Sequence, residues 1–208
     1  MNLLEGIKLQ GRPAIIPDCS RDDLPQFFVD MGFKTGVEIG VYKGDYTKLF
    51  CKAGLKMYAI DPWKAYPDYN EKRDWFQKRQ DFLYDHAKRN LASYPNCTII
   101  RKTSMEAVED FGDGSLSFVY IDGHHGFKYV AEDLWEWSKK VKKGGIISGH
   151  DWAMIKKDAR DPYVLHVMYV VDAYIKAMGI KDFYVLGRHK PLEGEKRDKW
   201  RSWMWINQ

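Results

Sequence analysis

Cysteine is scarce in this chain: Cys19, Cys51 and Cys97 are the only three in 208 residues, an odd number with no Cys-x-x-Cys pair. Neither a disulfide framework nor a zinc knuckle is indicated, and a reducing cytoplasm is the expected compartment. No apolar run approaches the roughly 20 residues that a membrane-spanning helix requires. The opening stretch, residues 1–8, also lacks the hydrophobic segment of a secretory signal. Internal repeats and low-complexity linkers are absent. So is a marked excess of either charge: 33 basic against 29 acidic side chains leave +4, too little to imply a nucleic-acid partner without a clustered patch. Two nucleotide signatures are missing as well. No strand is followed by Gly-x-Gly-x-x-Gly, and no glycine turn ends in Gly-Lys-Ser/Thr, so neither a dinucleotide fingerprint nor a phosphate loop is present.

What the chain does have is the composition of a folded globular protein, 45% hydrophobic and 30% charged, of a length that suits a single domain over residues 1–208. Eight Trp and thirteen Tyr are many for this length. They serve either core packing or a pocket for a flat or sugar-like molecule.

The organising stretch is Thr35-Gly36-Val37-Glu38-Ile39-Gly40-Val41-Tyr42-Lys43-Gly44-Asp45. Val37 and Ile39 suit a central strand, while Gly40 and Gly44 permit positive φ and close ligand approach. Asp45 is expected to cap a helix through Phe50. Further strands are expected at 56–61, 97–101, 117–122, 145–149, 182–186 and 202–206, with helices from Asp22 to Met31, near 80–93, from Lys128 to Val141 and over 163–178. Strands alternating with helices and then a terminal strand pair indicate a doubly wound, Rossmann-like α/β sheet of seven strands with the last antiparallel. Residues 1–20 read as an irregular extension or lid. Residues 64–80, with Tyr66, Pro67, Tyr69, Trp75 and Phe76, read as a substrate-side insertion or as an ordinary surface helix.

In such sheets ligands sit beyond the carboxyl ends of the strands, where strand order reverses. Asp61 ends the second strand 23 residues beyond Glu38, close to where nucleotide folds place a ribose-binding acid. Two later strand ends each combine an acid with histidine: Asp122-Gly123-His124-His125 and His150-Asp151. If those strands are neighbours, Asp122 and Asp151 converge, and paired carboxylates repel unless a cation joins them. His86, His166 and His189 have no companion motif.

Glu38-x-Gly40-x-x-x-Gly44 resembles motif I of the class I S-adenosylmethionine-dependent methyltransferases, with Tyr42 where that motif usually has another glycine. The series from Phe118 through Asp122, His125 and Asp133 to residues 144–152, with residues 171–174 beyond, resembles the family that includes macrocin O-methyltransferase and, more distantly, catechol O-methyltransferases. The likeness runs from about residue 30 to the C-terminus. It implies an S-adenosylmethionine site framed by Glu38, Gly40, Tyr42, Gly44, Asp61, Pro62, Trp63, Asp122 and the adenine-holding stretch Thr103, Ser104 and Met105. It also implies Mg²⁺ or Mn²⁺ bound by Asp122, His150 and Asp151, and a catalytic base at His125. His125 is preferred to His124 through the family spacing alone. At His150 the family more often has a carboxylate; imidazole there favours softer ions such as Mn²⁺ or Fe²⁺, or else His150 is not a ligand.

The expected activity is methylation of a hydroxyl on a small-molecule acceptor, such as a sugar, another polyol or a natural product, with a homo-oligomer left open. Two other classes remain: a metal-independent methyltransferase for nitrogen or nucleic acid, and a nucleotide-binding module without catalysis whose glycine turn has degenerated at Tyr42.

Overall fold

The computed structural model describes residues 2–66, 77–154 and 165–208. In chain order the elements are α1 (Leu3–Gly6), β1 (Ala14–Ile16), α2 (Leu24–Asp30), β2 (Thr35–Ile39), α3 (Thr47–Lys52), β3 (Lys56–Ile60), α4 (Gln77–Leu91) and β4 (Cys97–Ile100). They continue as α5 (Ser104–Ala107), β5 (Leu116–Ile121), α6 (Phe127–Lys140), β6 (Val141–Trp152), α7 (Val167–Ala177), β7 (Tyr184–Leu186) and β8 (Arg201–Ile206). Pro67, Tyr69, Trp75 and Phe76 of the expected insertion, and Tyr163 at the expected start of α7, lie outside the described residues. No described helix is long and apolar enough to cross a membrane.

The strands form one sheet in the order β1-β7-β8-β6-β5-β2-β3-β4, with β8 antiparallel to both its neighbours and every other pairing parallel. The Rossmann-like sheet and its antiparallel last strand are therefore as expected, but eight described strands replace the expected seven. The eighth comes from the N-terminal extension, where Ala14, Ile15 and Ile16 pair with Tyr184, Val185 and Leu186. A three-residue run behind a proline carries too little periodicity to be read as a strand from sequence alone.

Both faces of the sheet are covered, which is why its inner strands read as continuous apolar runs. All six residues of β5 are buried. The strand's alternation sends Val119 and Ile121 to one core with α6 and α7, and Phe118 and Tyr120 to the other with α2 and α3. In the second core Phe118 lies 4.3 Å from Phe28 and 5.5 Å from Phe50, ring centre to ring centre. Gly36 makes room for it: a Cβ there would come within 2.2 Å of the Phe118 ring.

Two local expectations change. Asp45 does not cap α3, which begins at Thr47 with Tyr46 preceding it and no side-chain cap; Asp45 instead accepts a hydrogen bond from Asn90 Nδ2 at 2.9 Å. Gly40 has φ +88°, as its turn requires, yet its close neighbour is the protein's own backbone: an added Cβ would lie 2.0 Å from the Asp122 carbonyl oxygen. Gly40→Ala is therefore expected to lower the unfolding free energy by roughly 3 kcal/mol or more, measurable by denaturant titration, through steric overlap plus left-handed backbone strain.

Between α5 and α6, buried Asp133 receives the Ser104 hydroxyl, and Trp137 Nε1 donates to Ser104 Oγ at 2.7 Å. Burial pushes the Asp133 acid up to about 7, against the pull of the Ser104 hydrogen bond. From about pH 4, where an unfolded aspartate ionises, to about 7, the folded chain thus keeps a proton that the unfolded chain has lost. This contribution to stability is full below that window and declines as pH rises through it. Asp133→Asn cannot titrate, so wild-type stability minus variant stability is expected to fall between pH 4 and 7 by at most about 1.4 kcal/mol per pH unit, and to be level outside it.

Candidate active site

Strand order reverses between the parallel neighbours β2 and β5, and the loops leaving the carboxyl ends of β2, β3 and β5, with the start of α5, enclose a cavity of about 620 Å³. Glu38, Gly40, Tyr42, Asp61, Pro62, Thr103, Ser104, Met105, Asp122, His124 and His125 all line it. Gly44, Trp63, His150 and Asp151 do not. Gly44 packs towards Leu91, where an added Cβ would stand 3.0 Å from the leucine side chain. Trp63 is buried in the small core under α4.

The loop after β2 shows why Tyr42 can replace a glycine. Tyr42 takes φ +53°, the left-handed conformation that a glycine would adopt without strain. Three contacts hold it there. Asp61 Oδ2 accepts the backbone N–H groups of Val41 and Tyr42, both at 3.0 Å, and Trp63 Nε1 donates to the Tyr42 carbonyl at 2.8 Å. Asp61 Oδ1 also accepts the Trp63 N–H at 2.7 Å. The acid expected at a ribose is thus also the clamp of the glycine turn, and Trp63 braces that clamp from behind.

Glu38 is buried at the end of β2, where the Thr47 hydroxyl donates to it. Burial pushes its pKa up to about 8, with the Thr47 bond opposing. A neutral acid on a cavity wall becomes a carboxylate again when a cationic group approaches it. Ser104 also lines the cavity, although its hydroxyl is shared with Asp133 and Trp137.

β5 and β6 are adjacent and parallel, with Ile121 opposite Gly149, so the acid-histidine stretches just beyond those two residues meet. His125 Nε2 lies 2.9 Å from Asp151 Oδ2 and 3.7 Å from Asp122 Oδ1. His150 Nδ1 lies 3.4 Å from Asp151 Oδ1 and 3.9 Å from Asp122 Oδ1. Asp122, His125 and Asp151 each offer one donor atom, all within 4.8 Å of one another; His150 stands outside that compact triad. Asp151 itself has φ +62°, a strained backbone for a non-glycine residue.

Charges in this cluster offset one another. Burial disfavours imidazolium at His125, but contacts with Asp122 and Asp151 outweigh it and carry the pKa up to about 10. His150 is raised for the same reasons. Burial would raise Asp151, yet the two histidines hold it well below the usual carboxylate range, whereas burial prevails at Asp122 and raises it. The two neighbouring histidines of the β5 loop are now distinct. His124 accepts the Gly126 N–H through Nδ1 at 3.0 Å and its ring lies 3.9 Å from that of Tyr129, tilted by 35°, while His125 reaches both carboxylates. His166 braces this loop: its N–H donates to the His125 carbonyl at 2.9 Å, and its Nδ1 accepts the Phe127 N–H at 3.0 Å.

One residue reaches the cluster unannounced. Arg21 Nη1 lies 3.5 Å from Asp122 Oδ2 and lines the cavity. Its local sequence, Ser20-Arg21-Asp22-Asp23, signals only a capped turn; nothing in it points to an acid a hundred residues away.

A methyltransferase-domain family model matches residues 37–152, more than half of the chain. An uncharacterized protein of Sinorhizobium fredii, y4gI, is 25% identical over 122 residues, spanning 55% of this chain but only 13% of that protein. Among solved structures, a putative caffeoyl-CoA O-methyltransferase from Staphylococcus aureus superposes with a TM-score of 0.62 at 16% identity, covering 90% of this chain and 82% of that one. An O-methyltransferase from Bacillus cereus, solved in complex with SAH, gives 0.58 at 13% identity, covering 89% and 80%. At such identities the likeness is one of fold. The glycine turn, the cavity at the strand reversal and the matched span together establish that the chain belongs to the methyltransferase-domain family.

Proposed function

We propose that this protein is an S-adenosylmethionine-dependent O-methyltransferase that acts on a small-molecule hydroxyl, such as that of a sugar or other polyol, assisted by a divalent cation. One observation carries the reading: a single cavity joins the β2 loop and Asp61 to Asp122 and His125, the two members of the acid-histidine triad that line it, with Asp151 just behind them. The O-methyltransferase names of the structural neighbours favour oxygen as the acceptor atom.

The wall chemistry fits the cofactor. Glu38, Asp61 and Asp122 place acids around a space that would receive an ammonium and a sulfonium, while Ile60 and Met105 supply apolar surface for adenine. The donor set also fits a divalent cation, since two carboxylates and one imidazole suit Mg²⁺ to Mn²⁺ or Fe²⁺. Asp122, Asp151 and His125 would hold the ion in its compact form, which gives His125 a ligand's place in addition to the base's place implied by the family resemblance. When bound, such an ion polarises a hydroxyl and lowers its pKa. The protein's own part is to fix the hydroxyl beside Asp122 and to take its proton on whichever imidazole, His125 or His150, stays uncoordinated. Orientation of acceptor oxygen against the methyl carbon supplies much of the remaining acceleration.

Calorimetric titration of S-adenosylmethionine, with Mn²⁺ and then with a chelator, is expected to show binding in both and methyl transfer to a diol panel only with the metal. Turnover that survives the chelator would favour the metal-independent alternative. Asp122→Ala is expected to lower kcat by at least about 100-fold while S-adenosylmethionine still binds; undiminished turnover would remove Asp122 from the chemistry. His125→Ala and His150→Ala separate ligand from base: losing the ligand weakens Mn²⁺ binding, whereas losing the base spares binding and removes turnover.

A further inference from the structure

Arg21 enters the cavity from a part of the chain that takes no share in the glycine turn or the acid-histidine loops. Its backbone is fastened on both sides: the Arg21 N–H donates to Asp198 Oδ2 at 2.8 Å, and its carbonyl accepts the Tyr46 hydroxyl at 2.7 Å. The turn that carries it is closed by a capping box between Ser20 and Asp23. The guanidinium lies over the Tyr46 ring, 4.9 Å from its centre, with 34% of the side chain accessible. Among the described residues its polar contacts end with the 3.5 Å ion pair to Asp122.

A guanidinium carries five N–H donors in a rigid plane, and 3.5 Å is beyond the usual length of a charge-assisted hydrogen bond. Arg21 is therefore a half-buried cation that is positioned firmly, set over an aromatic ring and left with donors for something within the cavity. Its planar fork matches the two oxygens of a carboxylate or phosphate better than any neutral group. A residue needed only to neutralise Asp122 would be expected to make that contact short and paired, as Arg101 does with Asp81 at 2.6 Å.

We propose that Arg21 binds an anionic group, a carboxylate or a phosphate, on the methyl acceptor, and so selects acidic acceptors. This rests on the reading of the cavity as a methyl-transfer site, and it assigns the segment before α2 the recognition of substrate.

The test measures binding to the full chain by ligand-observed NMR, without cofactor, using two matched sets: glucose, glucuronate and glucose-6-phosphate, and catechol with protocatechuate. At least one acidic member is expected to bind about tenfold or more tightly than its neutral partner. Whether glucuronate or the phosphate gains more identifies the anion. Arg21→Gln is expected to erase this preference and Arg21→Lys to keep part of it, while S-adenosylmethionine titrates into both variants as into wild type. Equal binding across both sets in wild type would overturn the proposal without any variant. So would a preference that survives Arg21→Gln, or a loss of S-adenosylmethionine affinity as large as the loss of the anion, which would reassign Arg21 to the cofactor. Failure of S-adenosylmethionine to bind wild type would instead count against the methyl-transfer reading, because the acceptor sets are measured without it.

Discussion

Everything at the candidate site depends on how closely the ends of β2 and β5 approach. Asp122 donates its N–H to the Ile39 carbonyl at 2.8 Å, Gly40 donates to the Ile60 carbonyl at 2.9 Å, and the absent side chain of Gly40 leaves space that the Asp122 carbonyl fills. Three strand ends are thereby locked at one height. The glycine turn, Asp61 and Asp122 cannot drift apart, because parallel ladders fix their register and a buried carbonyl cannot give up its partner cheaply. Precision at the cavity is thus a property of the sheet before it is a property of any loop.

On that frame the protein carries two kinds of acid. Asp61 holds three backbone N–H groups, and it makes a left-handed tyrosine tolerable at position 42. Asp122 and Asp151 are held beside histidines and Arg21 in a cluster that burial alone would not permit. Taking such groups out of water is costly unless each charge finds a partner, so the histidines stabilise the site by pairing with its carboxylates. A divalent cation, if it joins them, competes with the proton on His125 for the same carboxylates.

At 13–16% identity the likeness to the solved O-methyltransferases is one of fold, carried by the sheet and its helices. Acceptor choice belongs to the segments grafted onto the fold. Segments of that kind beside this cavity are the turn that bears Arg21 and the aromatic residues Tyr66, His124 and Tyr129, whose rings stand 3.9 to 6.3 Å apart.

The sequence by itself determined the sheet's alternating architecture, the glycine turn, Glu38 and Asp61 at their strand ends, and the pairing of acid with histidine at residues 122–125 and 150–151. Those features are local: β-branched runs, glycine spacing and side chains at the ends of strands can be read along the chain. Its reading of Asp45 as a cap missed because capping depends on where the first helical turn begins, which α3 sets at Thr47. Only the tertiary structure decided that Gly40 serves the backbone of Asp122, that Asp61 and Trp63 brace Tyr42, that His125 rather than His124 reaches the carboxylates, and that residues 14–16 add an eighth strand. Arg21 is the clearest case. No spacing along the chain relates it to Asp122, and the two meet because the N-terminal strand docks at the far edge of the sheet while Asp198 and Tyr46 hold the intervening turn.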